Sequence, residues 1–300
     1  MNDLTRFKGL GVALITPFKD DESVDFDSLS RLVDEMAAGD VDYLLALGTT
    51  SEYMTLTPSE KDDVLRCILE ANNRRLPVMV GLGGPNTSFM VRKLEHLSNF
   101  DVDAILTVTP YYNKPSQAGL VAHYRKFSQA TDMPIFLYNV PGRTSCNLEV
   151  ATTLRIVSEN SNIVGIKEAS GNMRQILQLI AHKPENFMVL SGDDLLALPL
   201  IAAGADGLVS VMANAFPREV AQIVHSASQG DLAVSQKIHN MLCDLTVACF
   251  KEGSPSGIKA IMSACGSVRQ VLRLPLVPVS DDLQKTIANL VERLYKNTCR

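Results

Sequence analysis

Lys167 closes the apolar run Ile163-Val164-Gly165-Ile166, and a lysine so placed can do one of two things. With an ordinary pKa of about 10.4 it is a poor nucleophile at neutral pH. Loss of water, or a nearby cation such as Arg143, would lower that pKa and let the amine attack a ketone to form a Schiff base. Alternatively, Lys167 snorkels to solvent from the strand end or pairs with Glu168. Tyr111, Tyr112 and Tyr138 are of a type that can pass protons to and from a substrate, although buried tyrosines also serve as packing anchors. Thr49 and Thr50, inside Gly48-Thr49-Thr50-Ser51-Glu52, could bridge such a relay and hold a carboxylate, or simply form a turn after a strand. Arg143 could clamp a carboxylate bidentately, or sit in a surface loop.

These residues share a position: each closes or follows a short β-rich run. Eight such runs recur, at Gly11–Thr16, Tyr43–Leu47, Val78–Gly81, Ala104–Val108, Ile135–Tyr138, Ile163–Ile166, Phe187–Leu190 and Gly207–Val211. They are continuously apolar, as strands buried on both faces of a parallel sheet are. Segments of helical period lie between them. Leu29, Leu32, Val33, Met36 and Ala37 make one apolar stripe with Gly39 as its stop. Thr57-Pro58-Ser59-Glu60 reads as a capping box with Pro at the first helical position, ahead of Val64, Leu65, Ile68 and Leu69. The alternation predicts an α/β fold, a TIM (β/α)₈ barrel, ahead of a doubly wound open sheet. A leucine-rich solenoid fails for want of its consensus. From about Ala215 onward, segments 218–228, 230–250, 254–265 and 281–297 read as helices. The expected division is a catalytic barrel over 1–228 and a C-terminal helical extension over 229–300. In such barrels the site forms at the C-terminal strand ends. The ends here carry Gly48–Glu52, Thr109–Asn113, Tyr138–Thr144, Lys167-Glu168 and Ser191-Gly192-Asp193-Asp194.

Composition removes several classes of function. The 300 residues carry 28 basic and 33 acidic side chains, a net charge of −5, and no basic run, which argues against nucleic-acid binding. An apolar fraction of 46% with 20% charged residues suits a globular chain with a buried core. The N-terminus lacks a secretory h-region, and the greasiest stretch, 195–216, is broken by Pro199, Gly204, Asp206 and Gly207, so neither secretion nor a membrane span is expected. Six cysteines without a C-x-x-C pair suit reduced thiols in the cytoplasm. Gly81-Leu82-Gly83-Gly84 lacks the further residues of a dinucleotide or phosphate loop, and the five histidines show no metal-ligand spacing. No G-x-S-x-G elbow is present. No metal or organic cofactor is expected.

Taken in order, the strand ends resemble the pyruvate-dependent Schiff-base aldolases of the dihydrodipicolinate synthase and N-acetylneuraminate lyase superfamily. The match runs from Thr16-Pro17-Phe18 to Leu272-Arg273-Leu274-Pro275. Gly48-Thr49-Thr50-Ser51-Glu52 and Pro141-Gly142-Arg143-Thr144 favour the synthase branch over the sialic-acid lyases. The resemblance implies that Lys167 forms the Schiff base with pyruvate and that Tyr138 donates and accepts protons. Thr49 would link Tyr138 to Tyr112, which would reach in from a neighbouring subunit. Thr50 would bind the pyruvate carboxylate, Gly192 and Val209 would close the pocket, and Arg143 would hold the carboxylate of L-aspartate 4-semialdehyde. It further implies a homotetramer built as a dimer of dimers and a place in diaminopimelate and lysine biosynthesis. Within the superfamily, a lyase for another acceptor aldehyde, of the sugar-acid or hydroxyproline pathways, is the alternative. A non-catalytic barrel that binds keto acids is another.

Two departures from the family pattern carry expectations. Ser51 stands where the family usually has Gly, at a cost on the order of 1 kcal/mol if that position needs positive φ. Where lysine-inhibited members carry a polar lysine site, this chain has Tyr53, Pro58, Lys61, Pro85 and Phe89, keeping Tyr111. Insensitivity to lysine is therefore expected.

Overall fold

The computed structural model describes residues 4–298. Eight strands form: β1 Gly9–Ala13, β2 Tyr43–Ala46, β3 Val78–Gly81, β4 Ala104–Val108, β5 Ile135–Asn139, β6 Ile163–Glu168, β7 Met188–Ser191 and β8 Gly207–Ser210. Each pairs in parallel with the next, and β8 pairs with β1, closing a barrel. All eight predicted runs are strands; β3 and β4 have the expected bounds, and the other six have shifted ends. β1 begins at Gly9, because Gly9 pairs with Gly207 of β8, and it ends before Leu14. β6 runs two residues further than expected and includes Lys167 and Glu168.

Two apolar clusters follow from strand alternation. One fills the barrel and includes Phe7, Tyr43, Leu45, Leu106, Phe136, Tyr138 and Val209. Its floor is aromatic: Phe7 meets Tyr43 and Phe136 edge-on, each at 5.4 Å between ring centroids. Gly11 leaves room for that floor, since a Cβ there would lie 2.1 Å from the Tyr43 ring. The larger cluster lies between strands and helices. Helix Phe26–Ala38 turns Leu29, Leu32, Val33 and Met36 into it, capped by Asp25 and stopped at Gly39. Helix Pro58–Asn72 opens on the predicted capping box: the Glu60 amide donates to Thr57 Oγ1, and the Thr57 amide donates to Glu60 Oε2. Such caps contribute about 1 kcal/mol.

The N-terminal face of the barrel is tied by a repeated device. Asp42, Asp103 and Asp206 each accept the first amides of the preceding strand, from Leu10, Val78 and Val189, at 2.6, 2.8 and 2.9 Å. Each also has a basic partner: His225, Arg6 and Lys183 respectively. Polar groups at this end stabilise the barrel, leaving the opposite mouth for chemistry.

The barrel's last helix, Pro217–Ser228, is followed by helices Leu232–Lys251, Ser256–Ala264 and Asp281–Thr298, close to the predicted spans. Among the described residues, no helix is long and apolar enough to cross a membrane. Cys67, Cys146, Cys243, Cys249 and Cys265 are free thiols, while Cys299 lies outside the described residues.

Candidate active site

The aim of Lys167 depends on an irregularity in β6. Ile163 pairs with Ile135, but the next β5 residue, Phe136, pairs with Gly165, so Val164 is one extra residue. Without it, strict alternation from the inward-facing Val164 would send Lys167 outward. The bulge resets the count, so Ile166 faces the helices and Lys167 enters the barrel. Gly165 permits this close passage, because a Cβ there would lie 2.4 Å from the Phe136 ring.

Beyond the bulge, Tyr138 pairs in register with Lys167, and Asn139 with Glu168. The first pair faces the barrel and the second faces away. Lys167 is 5% exposed, and its Nζ lies 4.7 Å from the Tyr138 ring centroid. Burial pushes its pKa down to about 8; Asp194 pulls it back up, and Arg143 lowers it further. Glu168 is not the lysine's partner. Its carboxylate accepts from Asn139 Nδ2 at 3.1 and 3.2 Å and from the Ser170 amide at 2.9 Å, on the opposite face of the strand.

Tyr138 has its pKa raised by burial, with the Arg143 charge and a hydrogen bond with Thr49 acting against that rise. Thr49 and Thr50 sit in a tight turn, Thr49–Ser51, at the end of β2, and Thr50 is buried. The expected strain at Ser51 does not arise. The left-handed conformation falls on Leu47 and Glu52, at φ of 53° and 56°, while the Ser51 hydroxyl donates to the Gly48 carbonyl at 2.8 Å. A serine thus fits this turn without needing the freedom of glycine.

Gly192 lies against the lysine stem: a Cβ there would be 2.9 Å from Lys167 Cε and 2.7 Å from Ala169 Cβ. Val209 is fully buried in the barrel wall. Arg143 stands in the short helix Pro141–Thr144 above the mouth, and its Nη2 donates to the Ser254 carbonyl at 3.2 Å. The remaining space before Lys167 is a cleft of 30 Å³ walled by Leu45, Leu106, Val108, Thr49 and Tyr138. Larger hollows, one of 520 Å³ beside Ser128 and Asn162, lie elsewhere on the surface and include neither Lys167 nor Tyr138.

Tyr112 stands apart. It is 91% exposed, with a strained φ of 71°, and this chain does not bring it to its own Lys167. Tyr111 instead donates to Met54 Sδ at 3.8 Å.

One contributor escaped assignment from sequence. Asp194 is buried, accepts from Ser210 Oγ and from the Val211 amide, and its charge acts on Lys167. The Asp193-Asp194 doublet was visible at a strand end, but which of the two turns inward depends on the loop. Among the described residues, no three His, Cys, Asp or Glu side chains are grouped to hold a metal ion. The arrangement offers a desolvated amine, a tyrosine ring beside that amine and a hydroxyl linked to its phenol. These groups can form an imine and move a proton beside it.

Known proteins share this architecture and are similar to the chain along nearly its whole length. The model of the dihydrodipicolinate synthetase family matches residues 6–294. The chain is 49% identical to the 4-hydroxy-tetrahydrodipicolinate synthase of Phocaeicola vulgatus, over 91% of this chain and 92% of that relative. The dihydrodipicolinate synthase of Thermotoga maritima superposes with a TM-score of 0.94 at 36% identity, covering 97% of this chain and 99% of that one. A structure described as the first monomeric dihydrodipicolinate synthase variant also gives 0.94 and 36%, over 97% and 98% of the two chains.

Proposed function

This chain belongs to the dihydrodipicolinate synthetase family, and on that premise we propose that it condenses pyruvate with L-aspartate 4-semialdehyde through a Schiff base at Lys167. It is a lyase of the 4-hydroxy-tetrahydrodipicolinate synthase kind. The observation that carries the proposal is the buried amine, with its pKa near 8, held 4.7 Å from the ring of a tyrosine that is itself hydrogen-bonded to Thr49.

The neutral amine adds to the pyruvate ketone, and water leaves to give a protonated imine. The imine withdraws electrons, so a methyl proton departs through Tyr138 and Thr49, leaving an enamine. The enamine carbon attacks the aldehyde carbon, and the new alkoxide takes up a proton from the same relay. The amine of the second substrate then adds to the imine carbon, closing the ring and expelling the Lys167 amine. Thr50 suits the pyruvate carboxylate, while Gly192, whose amide donates to the Glu168 carbonyl at 2.8 Å, and the apolar Val209 close the pocket. Arg143, at the rim of the mouth, suits the second carboxylate. This placement of a cation outside the pyruvate cleft favours an acidic acceptor aldehyde over a neutral one.

The protruding Tyr112 side chain, carried on a left-handed backbone, supports a role in the site of a neighbouring copy, within a tetramer made of two dimers. The division into a barrel over 1–228 and a helical domain over 229–300 is part of the same reading. The direct test supplies pyruvate and aspartate semialdehyde and follows product by coupled reduction. Turnover dependent on both substrates is expected, and turnover with a neutral sugar aldehyde but none with aspartate semialdehyde would overturn the reading.

A further inference from the structure

Glu52 and Lys259 form a salt bridge that no step above uses, and neither side chain reaches solvent. They are separated by most of the chain. Glu52 ends the turn that carries Thr49 and Thr50, and Lys259 lies in the C-terminal helix Ser256–Ala264. Lys259 Nζ donates to Glu52 Oε1 at 2.5 Å and to the Val271 carbonyl at 2.9 Å, and it rests 4.2 Å from the Phe18 ring centroid. The other carboxylate oxygen accepts the Arg273 amide at 3.1 Å. The Arg273 guanidinium packs 4.6 Å from the same Phe18 ring and bonds Glu60 and the carbonyls of Glu22 and Thr55.

An isolated buried ion pair is a poor source of stability, since well-packed apolar side chains of similar volume do as well or better. What charge offers here is direction. Glu52 must hold a left-handed backbone, an unfavourable state for a side chain with a Cβ. Its backbone also organises both flanks of the turn: its amide donates to the Thr49 carbonyl at 3.2 Å, and its carbonyl accepts from the Thr55 amide and hydroxyl. Pinning the Glu52 carboxylate therefore fixes the residue three positions earlier, whose hydroxyl meets Tyr138. The C-terminal helices reach the mouth at a second point, through the Ser254 carbonyl that receives Arg143.

We propose that Glu52 and Lys259 are positioning residues: they clasp the Gly48–Glu52 turn to helix Ser256–Ala264 and so keep the Thr49 hydroxyl on Tyr138. The inference rests on the Schiff-base reading of Lys167. It assigns the C-terminal helices a part in proton transfer and none in imine formation.

The test separates those two steps. Full-length Glu52→Gln and the charge-free double variant Glu52→Gln/Lys259→Met are compared with the parent. Borohydride trapping measures imine formation with pyruvate, and NMR in deuterated water measures exchange of the pyruvate methyl protons. Both variants are expected to trap pyruvate to the parent's full extent while methyl exchange and kcat fall at least tenfold. Glu52→Gln is near-isosteric, and Lys259, whose pKa burial lowers to about 8, can shed its proton, so this variant does not leave an obligatory buried charge. Exchange and kcat within twofold of the parent in both variants would overturn the proposal. So would parallel loss of trapping and turnover, which marks a purely structural salt bridge. A parent enzyme that traps no pyruvate would instead refute the Schiff-base reading itself.

Discussion

If burial holds the Lys167 amine near a pKa of 8, the rate of pyruvate capture must carry that value as a bend in its pH profile. The fall from 10.5 to about 8 corresponds to roughly 3 kcal/mol of preference for the neutral amine. At pH 7 roughly one amine in ten is then neutral, instead of roughly one in three thousand, a gain of about 300-fold in the reactive form. The sign is fixed by which form reacts: the neutral amine attacks, so capture rises with pH and levels off above the pKa. The assay mixes enzyme with pyruvate at a series of pH values, quenches with borohydride at short times and counts adduct by mass. Capture should increase tenfold per pH unit below the bend and flatten above about pH 8. Arg143→Gln removes a charge that lowers the pKa, so the bend should move to higher pH. Asp194→Asn removes one that raises it, so the bend should move to lower pH. A rate that climbs without a bend to pH 10, or shifts of the opposite sign in the two variants, would refute desolvation as the source of reactivity.

Three further outcomes follow from the same geometry. Thr49→Val removes the hydroxyl bonded to Tyr138 and should lower kcat about 10²-fold with little change in pyruvate affinity, the pattern of an interaction made in the reaction step; steady-state kinetics against each substrate would show it. Gly192→Ala places a methyl 2.9 Å from Lys167 Cε, so the lysine stem must shift. It should slow adduct formation and cost about 1–3 kcal/mol in chemical denaturation. Lysine at millimolar concentration should leave turnover unchanged: of the matching positions, Lys61 lies 5.4 Å from the Tyr53 ring, and Phe89 is itself covered by the neighbouring Lys93, 4.8 Å from its ring. A cationic ligand would meet ammonium groups there, and inhibition in the coupled assay at sub-millimolar lysine would contradict this.

Strand existence was legible because strands buried on both faces are apolar throughout, and that signal needs no knowledge of partners. The ends were read correctly at β3 and β4 but not elsewhere, since pairing across the barrel decides them: Gly9 belongs to β1 only because Gly207 lies beside it. Lys167, Tyr138 and Thr49 could be picked out as types at strand ends, and the fold brings them together. The device that aims the lysine could not. Ile163-Val164-Gly165-Ile166 is apolar whichever way it faces, so nothing local marks Val164 as the extra residue. The Glu52–Lys259 contact links positions 207 apart, and a lone lysine in a helix without other charges gives no hint of which carboxylate it meets. Ser51 shows the reverse case, where a departure from family habit suggested strain that the turn does not contain.

The claim on which everything else depends is covalent: Lys167 captures pyruvate. Enzyme incubated with pyruvate and borohydride, then digested and sequenced by mass spectrometry, should carry one reduced adduct, on the peptide containing Lys167. The Lys167→Ala variant should fold and carry none. No adduct in the parent enzyme, or an adduct on Lys259 or a surface lysine in its place, would contradict the account.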